Sequence, residues 1–274
     1  MKIKYLGTAA AEGVPALFCD CEVCRRARAL RGKHVRTRSQ ALVDDRLLID
    51  YPPDAFEHFL KYQIDTTKIH NLLITHIHED HFYPLDFEFF RHGYSSPAED
   101  YKLRVYGSED ILEPLRGAVE RSEGKLEAIA VKPFEPFEVD EYRVTALKAN
   151  HGTPHPYIYL IEKGKQALLY AHDTGIFPEE TIAYLSELRP KLDLVSFDCT
   201  GGAAQDLPYS AHMCLGLASY LRDEMDYAGF LSPKSIAVLN HFSHNGERVA
   251  YDEFEDIAIN EGFLTSYDGM TVEF

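Results

Sequence analysis

Three histidines and an aspartate stand within six residues, His76-x-His78-x-Asp80-His81, directly after the apolar run Leu72–Thr75. Imidazole nitrogens suit zinc and other first-row metals, and a carboxylate adds charge and a terminal or bridging oxygen. His76 and His78, as alternate residues, can point one way while Asp80 and His81 turn toward a neighbouring position, so one loop can supply two adjacent cations. Such a centre needs further ligands, and three later segments offer them after apolar runs: His151 in KANHGT, Asp173 in LLYAHDTG and His241 in IAVLNHFSH. Taken singly, each histidine is as readily a core or surface residue. Together, in this order, they point to a two-metal centre.

A second cluster lies near the N-terminus, Cys19-x-Cys21-x-x-Cys24 in FCDCEVC. Three thiolates so close suit a tetrahedral zinc that lacks one ligand, and His244, three residues past His241, can supply the fourth. A closed Cys₃His site has no open position, so its work would be folding and placement of the loop at about 15–25. A redox-active trio or unligated core thiols are the alternatives. Cys199 and Cys214 fall in strand-like and helical patterns and read as buried apolar thiols.

The elements that must position these residues are strand-rich. Strand-like runs cover Lys2–Leu6, Ser39–Val43, Leu47–Asp50, Asn71–Thr75, Lys102–Tyr106, Tyr142–Leu147, Tyr157–Ile161, Gln166–Tyr170, Leu192–Phe197, Ser235–Asn240 and Thr271–Phe274. Helical periodicity marks Pro53–Tyr62, Glu109–Glu120, Pro178–Leu188, Ala211–Asp226 and Glu253–Asn260. Hairpin spacing followed by strand–helix alternation predicts a layered α/β sandwich of mixed sheets with helices outside. Without a linker, repeat or low-complexity stretch, residues 1–274 read as a single domain. The formal net charge of −16 opposes broad binding of nucleic acid, while bound divalent cations can reverse the field inside one pocket. No stretch approaches the roughly 20 apolar residues that span a bilayer, and MKIKYLGTAA is no signal peptide, so the expectation is a cytoplasmic protein with no membrane partner.

The ligand series His76, His78, Asp80, His81, His151, Asp173 and His241 resembles the full set of the metallo-β-lactamase superfamily, over essentially the whole chain. The resemblance implies a four-layer αβ/βα fold with two mixed β-sheets flanked by helices. It implies that His76, His78 and His151 hold one metal, that Asp80, His81 and His241 hold the other, and that Asp173 bridges them. Asp50, ending LLID, matches the early aspartate that supports the ligand loop from behind. With GTAAAEGVPALFCDCEVC and NHFSH the series is similar to the PhnP-type phosphodiesterases. That likeness implies hydrolysis of a cyclic or small phosphodiester, such as a ribosyl 1,2-cyclic phosphate, by a hydroxide bridging two divalent metals (Zn, Mn or Fe), with one structural zinc at the cysteines. Homodimers are usual in that neighbourhood, although no residue pattern here establishes one.

Asp80, besides coordinating, can accept a hydrogen bond from the hydroxide, and the leaving alkoxide needs a proton. His212, in DLPYSAHMCLGLASYL, is the candidate donor, at the apparent start of a helix that Ser210 can cap. Members of the superfamily carry a histidine in a similar place. His155 is a candidate substrate contact, His172 is expected to face away from Asp173, and His34, His58, His70 and His92 read as core or surface residues. The basic run Arg25–Arg38 suits either a phosphate attractor or a solvated helix and loop. The rivals are a tRNA 3′-processing endonuclease, a thioester or lactone hydrolase on the same scaffold, and a non-catalytic cofactor-biosynthesis protein.

Overall fold

The computed structural model describes residues 1–207 and 211–274, so Ser210 lies outside the described residues. The strands in chain order are β1 (Lys2–Gly7), β2 (Gln40–Val43), β3 (Leu47–Ile49), β4 (Asn71–Leu73), β5 (Leu103–Gly107), β6 (Leu126–Ala130), β7 (Phe137–Val139), β8 (Tyr142–Lys148), β9 (Tyr157–Lys163), β10 (Gln166–Ala171), β11 (Leu192–Asp198), β12 (Leu231–Asn240), β13 (Leu264–Thr265) and β14 (Thr271–Glu273). They form two sheets, in the orders β14-β1-β2-β3-β4-β5-β6 and β13-β12-β11-β10-β9-β8-β7. In the first, β14 to β3 are antiparallel and β3 to β6 parallel. The second repeats the scheme, antiparallel from β7 to β10 and parallel from β10 to β13.

Strands buried on both faces need apolar residues at successive positions. In β9 and β10, Tyr159, Ile161, Leu168 and Tyr170 pack toward Tyr5, Val43 and Ile49 of the first sheet. Their neighbours Ile158, Leu160, Leu169 and Ala171 face the opposite way, into a second core. That second core is closed by α4 (Glu179–Leu188), α5 (Leu215–Tyr227) and α6 (Tyr251–Asn260), through Leu185, Leu221, Met225 and Phe254. On the far side, α3 (Leu112–Arg121) seats Leu115 and Ala118 against Leu72, Ile74 and Val105 of the first sheet. The result is helix, sheet, sheet, helix, the four-layer αβ/βα sandwich of the metallo-β-lactamase fold. In α5 the buried positions Leu215, Ala218, Leu221 and Met225 keep helical spacing, and each large side chain fully buried contributes roughly 1.5–3 kcal/mol.

Some elements differ from the sequence expectation. The helix expected from Ala211 begins at Leu215, with Cys214 as N-cap and no side-chain cap bond, so His212 lies on the loop ahead of it. The Glu109–Glu120 pattern divides into a tight turn at Glu109–Ile111 and then α3, whose Pro114 sits in the first turn, where a missing N–H costs nothing. β4 stops at Leu73 because the Thr75 N–H turns to the Asp50 carboxylate, 2.8 Å away, after Ile74 N–H has bonded Tyr106 O. The short strands β6, β7 and β13 lie at or near sheet edges, where burial leaves a weaker apolar pattern. Part of the basic run forms α1 (Glu22–Leu30). Among the described residues, no helix is long and apolar enough to cross a membrane.

Candidate metal centre

The parallel half of each sheet delivers its strand ends to one edge, the usual place for a site in α/β sheets. Asp50 follows β3, the His76–His81 loop follows β4, Asp173 follows β10, Asp198 ends β11, and His241 follows β12. Asp50, Asp173 and His241 have φ of +64°, +50° and +63°. Left-handed backbone at three non-glycine residues is held only where surrounding structure over-determines it, and it concentrates at functional sites.

Two donor sets converge. His78 Nδ1 lies 3.0 Å from His76 Nε2 and 3.1 Å from His151 Nε2. The second set comprises Asp80, His81, Asp173 and His241. His81 Nε2 stands 3.3 Å from both Asp80 Oδ2 and His241 Nε2, and 2.6 Å from Asp173 Oδ2. The same Asp173 oxygen is 3.4 Å from His76 Nε2, so one carboxylate reaches both sets. Within each set the donor atoms lie within 4.8 Å of one another.

The outward nitrogens have acceptors, which fixes the tautomers. His81 Nδ1 lies 2.7 Å from Asp50 Oδ2, His76 Nδ1 lies 3.0 Å from Thr75 Oγ1, and Thr75 in turn donates to Asp50. His151 Nδ1 faces Ala211 O at 3.3 Å, and His241 Nδ1 faces Thr200 Oγ1 at 2.9 Å. Each of these four rings therefore directs the Nε2 lone pair inward, the arrangement that orients imidazole toward a metal. Three inward nitrogens in one set, and two nitrogens with two carboxylates in the other, fit a pair of divalent cations of the borderline class.

Charge follows the same plan. Burial pulls His81 down, but Asp80, Asp173 and Asp50 outweigh it and hold the ring well above the ordinary histidine value. His241, also opposed by burial, is raised by Asp173 and Asp198 to about 10. Asp173 stays far below the usual carboxylate range despite burial, because His241 and His81 flank it. The carboxylates that favour protons on these rings favour a divalent cation between them. In the other set, burial lowers His76 and His151 and keeps both rings neutral, as ligation requires.

Asp198 and Thr200 were not singled out by sequence reasoning. The Asp198 carboxylate is fully buried and accepts from the backbone N–H of Asp173, Thr200 and Met213 at 3.1, 3.0 and 2.9 Å. It also meets Nδ1 of His212 at 3.3 Å and of His241 at 3.4 Å. The signal was present: LDLVSFD ends in aspartate as LLID does. Asp173, Asp198, His212 and His241 form an overlapping donor group, but three backbone bonds commit Asp198 to orienting the loops. His212 stacks near His241, with centroids 5.9 Å apart at 14°, and its Nδ1 is 3.2 Å from Asp173 Oδ1. Burial pulls its pKa down and the Asp198 hydrogen bond lifts it above the ordinary value.

The cysteine cluster gathers at the edge of the same region. His244 Nδ1 lies 3.5 Å from Cys21 Sγ and 3.7 Å from Cys19 Sγ, and Cys24 completes the four-donor group. Cys21 is the N-cap of α1; burial opposes ionisation, but the Cys24 N–H and His244 bring the thiol down to about 6. Glu12, bonded to Ser243 Oγ, ties this loop to the segment after His241. Tight packing there requires glycine: a Cβ on Gly202, at φ +62°, would meet Glu247 O at 2.2 Å.

The remaining candidates take other places. His155 pairs with Asp110 at 3.0 Å and belongs to neither donor set. His172 turns between the sheets, bonding Ser196 Oγ at 2.7 Å. Much of the Arg25–Arg38 run is committed to ion pairs: Arg25 and Arg28 with Asp20, Arg26 with Asp252 and Glu253, Arg38 with Asp54, while Arg36 is buried over Phe242. His58 is a core residue, and His34 is half-buried beside Tyr251.

A family model described as the beta-lactamase superfamily domain matches residues 45–242. The chain is 30% identical over 162 residues to an octanoyltransferase of Porphyromonas gingivalis, covering 56% of this chain and 31% of that protein. It is 27% identical over 178 residues to ribonuclease Z of Listeria monocytogenes, covering 62% of this chain and 52% of the enzyme. The chain thus spans about a third to about half of these relatives' length. A crystal structure of a diphosphatase from the PhnP family superposes with a TM-score of 0.75 at 23% identity, over 100% of this chain and 97% of that one, a likeness of fold.

Proposed function

Because the chain belongs to the beta-lactamase superfamily and carries its metallo-hydrolase fold, we propose that it hydrolyses a small or cyclic phosphodiester at a centre of two divalent cations. The observation that supports this most is the reach of Asp173 to both donor sets, with His212 standing beside it. His76, His78 and His151 would hold one cation; Asp80, His81 and His241 the other; Asp173 would bridge. Cations so placed supply an acidified water and draw charge from phosphoryl oxygens. The chain's own residues do the rest. Asp50 and Asp198 lock the ligand rings, and Asp80, buried beside His81, would accept a hydrogen bond from the attacking water while holding its cation. His212, kept protonated by Asp198, delivers a proton to the departing oxygen, a step worth about 10²–10⁴ in rate. The Cys19, Cys21, Cys24 and His244 group would hold a structural zinc that fixes the loop beside this edge.

A ribonuclease Z-like reading has the ribonuclease Z likeness behind it. The net charge of −16 and the pairing of the Arg25–Arg38 run within the fold favour the small substrate. The test is metal analysis of protein purified without chelator, with turnover measured on bis(4-nitrophenyl) phosphate, a 2′,3′-cyclic nucleotide, precursor tRNA, a thioester and a lactone. Cleavage of the phosphodiesters is expected, and His212→Ala should cut it about 100-fold or more at unchanged metal content. Turnover confined to the thioester or lactone would overturn the substrate class. Equal loss of metal and activity in His212→Ala would overturn the proton-donor role.

A further inference from the structure

A cavity of about 850 Å³ opens on the outer face of the first sheet, behind the loop that carries His76–His81. Its floor is apolar, Leu48 and Leu72, and its walls are aromatic, with Tyr51, Phe59, Phe87 and Phe90 among them. The Tyr51 ring packs against Phe87 and Phe59, with centroids 4.9 and 6.0 Å apart. At the rim, Phe56 and Phe89 are 68% and 52% exposed, so hydrocarbon faces water at the entrance. The wall is also the back of the ligand loop: Tyr51 N–H bonds His81 O at 2.7 Å, and Tyr83 N–H bonds Tyr51 O at 2.8 Å.

Among the residues lining this space one is charged, Asp86, and no lysine, arginine or histidine accompanies it. Asp86 is half-buried, and among the described residues none gives it a hydrogen bond or an ion pair. Burial holds its carboxyl above the usual carboxylate value, and no basic side chain among the lining residues offsets it. The chemistry of an occupant follows by elimination. An anion would meet Asp86 with like charge. A neutral hydrocarbon would fill the cavity but leave the carboxylate dehydrated and unpaired. A hard metal ion needs several oxygen ligands, and the walls offer one carboxylate. An ammonium group on an apolar body satisfies both demands, since aromatic faces and a carboxylate each attract it. A space of this volume accommodates a drug-sized molecule.

We propose that this cavity is a binding site for an organic ammonium ion with an apolar body, its nitrogen against Asp86 and its hydrocarbon among the aromatic rings. The site is separate from the metal centre and does not depend on the reaction assigned there. Calorimetric titration of the metal-loaded protein with octyltrimethylammonium, 1-octanol and octyl sulfate tests it. The ammonium should bind, octanol more weakly and the sulfate least. Asp86→Asn should weaken the ammonium about tenfold, the worth of one partly buried charge pair, and leave octanol unchanged. Phe59→Leu, which keeps hydrocarbon and removes a ring face, should also weaken the ammonium more than octanol, and serves if Asp86→Asn does not fold. Equal affinity for all three probes, an unchanged affinity in both variants, or no binding at all would overturn the proposal. So would a concentration-dependent dimer that Phe56→Glu dissolves in a protein that ignores the ammonium, which would give the face to a second copy of the chain.

Discussion

Replacing Asp198 with asparagine keeps the shape of the side chain and changes what its two terminal atoms can do. Oδ1 accepts from Thr200 N–H and Met213 N–H at 3.0 and 2.9 Å; Oδ2 accepts from Asp173 N–H at 3.1 Å and faces Nδ1 of His212 and His241 at 3.3 and 3.4 Å. An amide has one acceptor. If its oxygen keeps Thr200 and Met213, the NH₂ points at three N–H groups; if it flips, the two loop amides lose their acceptor. Each lost bond leaves a buried donor unsatisfied at about 1–3 kcal/mol, and the two imidazoles also lose their counter-charge. Because these groups share one atom, the losses overlap, and the sum should resemble breaking a buried ion pair, about 3–5 kcal/mol. In a protein of this size that lowers the melting temperature by roughly ten degrees. Metal affinity should fall about 10–100-fold, as it does when a ligand's outer partner is removed. The assays are thermal melting and metal retention against a competing chelator. Asp193→Asn is the control: it lies on the same strand, and its carboxylate accepts from Ala167 N–H at 3.0 Å far from the donors, so it should change metal retention little. If Asp198→Asn retained metal as tightly as that control, the carboxylate would not be orienting the ligand rings.

Cys21→Ser should lower bound zinc by about one equivalent per chain and reduce the melting temperature, measured by elemental analysis and calorimetry; unchanged values of both would remove the zinc from the cysteine loop. His58 is buried between Gln40 and Thr37, and burial lowers its pKa from 6.5 to about 4. Between those values the unfolded chain takes up a proton that the folded one refuses, so stability is full above about pH 6.5 and declines toward pH 4. From about pH 7 to pH 5 this side chain should account for about 2 kcal/mol, so His58→Gln should show a shallower fall in urea midpoint, and an equal slope in both proteins would contradict the linkage. Gly202→Ala places a Cβ 2.2 Å from Glu247 O at a φ of +62°. It should cost about 2 kcal/mol or more by thermal melting and slow turnover through Thr200, which shares that turn; a melt like the wild type would show that the loop yields freely.

The ligand candidates were legible because metal chemistry restricts residue types severely and local spacing carries half the geometry. His76, His78, Asp80 and His81 sit in one loop, so their neighbourhood in space follows from their neighbourhood in sequence. Asp198 was not legible for the opposite reason. A single aspartate ending an apolar strand has many structural explanations, and its role emerges only when Met213, Thr200 and Asp173 arrive from separate segments. His212 was singled out, but its helix was placed too early, since the pattern MCLGLASYL cannot show that the Met213 N–H is committed to the buried Asp198 carboxylate and that the helix starts only at Leu215. Asp86 and its cavity carried no signal at all, because an aspartate among phenylalanines reads as an ordinary surface turn until the fold sets it beside a cavity.

A regularity of the fold joins these cases. In each sheet the strands run antiparallel up to one strand, β3 or β10, and parallel beyond it. At that change of direction each sheet places an aspartate with left-handed φ, Asp50 at +64° and Asp173 at +50°. The two halves share no evident sequence repeat, so composition and spacing could not reveal the correspondence. Physically it follows from the layout: where pairing switches to parallel, consecutive strand ends gather on one edge, and a chain leaving that edge must turn sharply before entering its crossover. Asp50 turns and holds His81 from behind, while Asp173 turns and stands among the donors themselves. The two sheets thus offer the same turn to one edge, and the site arises where both arrive. On this argument Asp50→Ala and Asp173→Ala differ in kind: the first should loosen His81 while leaving every donor in place, whereas the second removes the oxygen that both sets share.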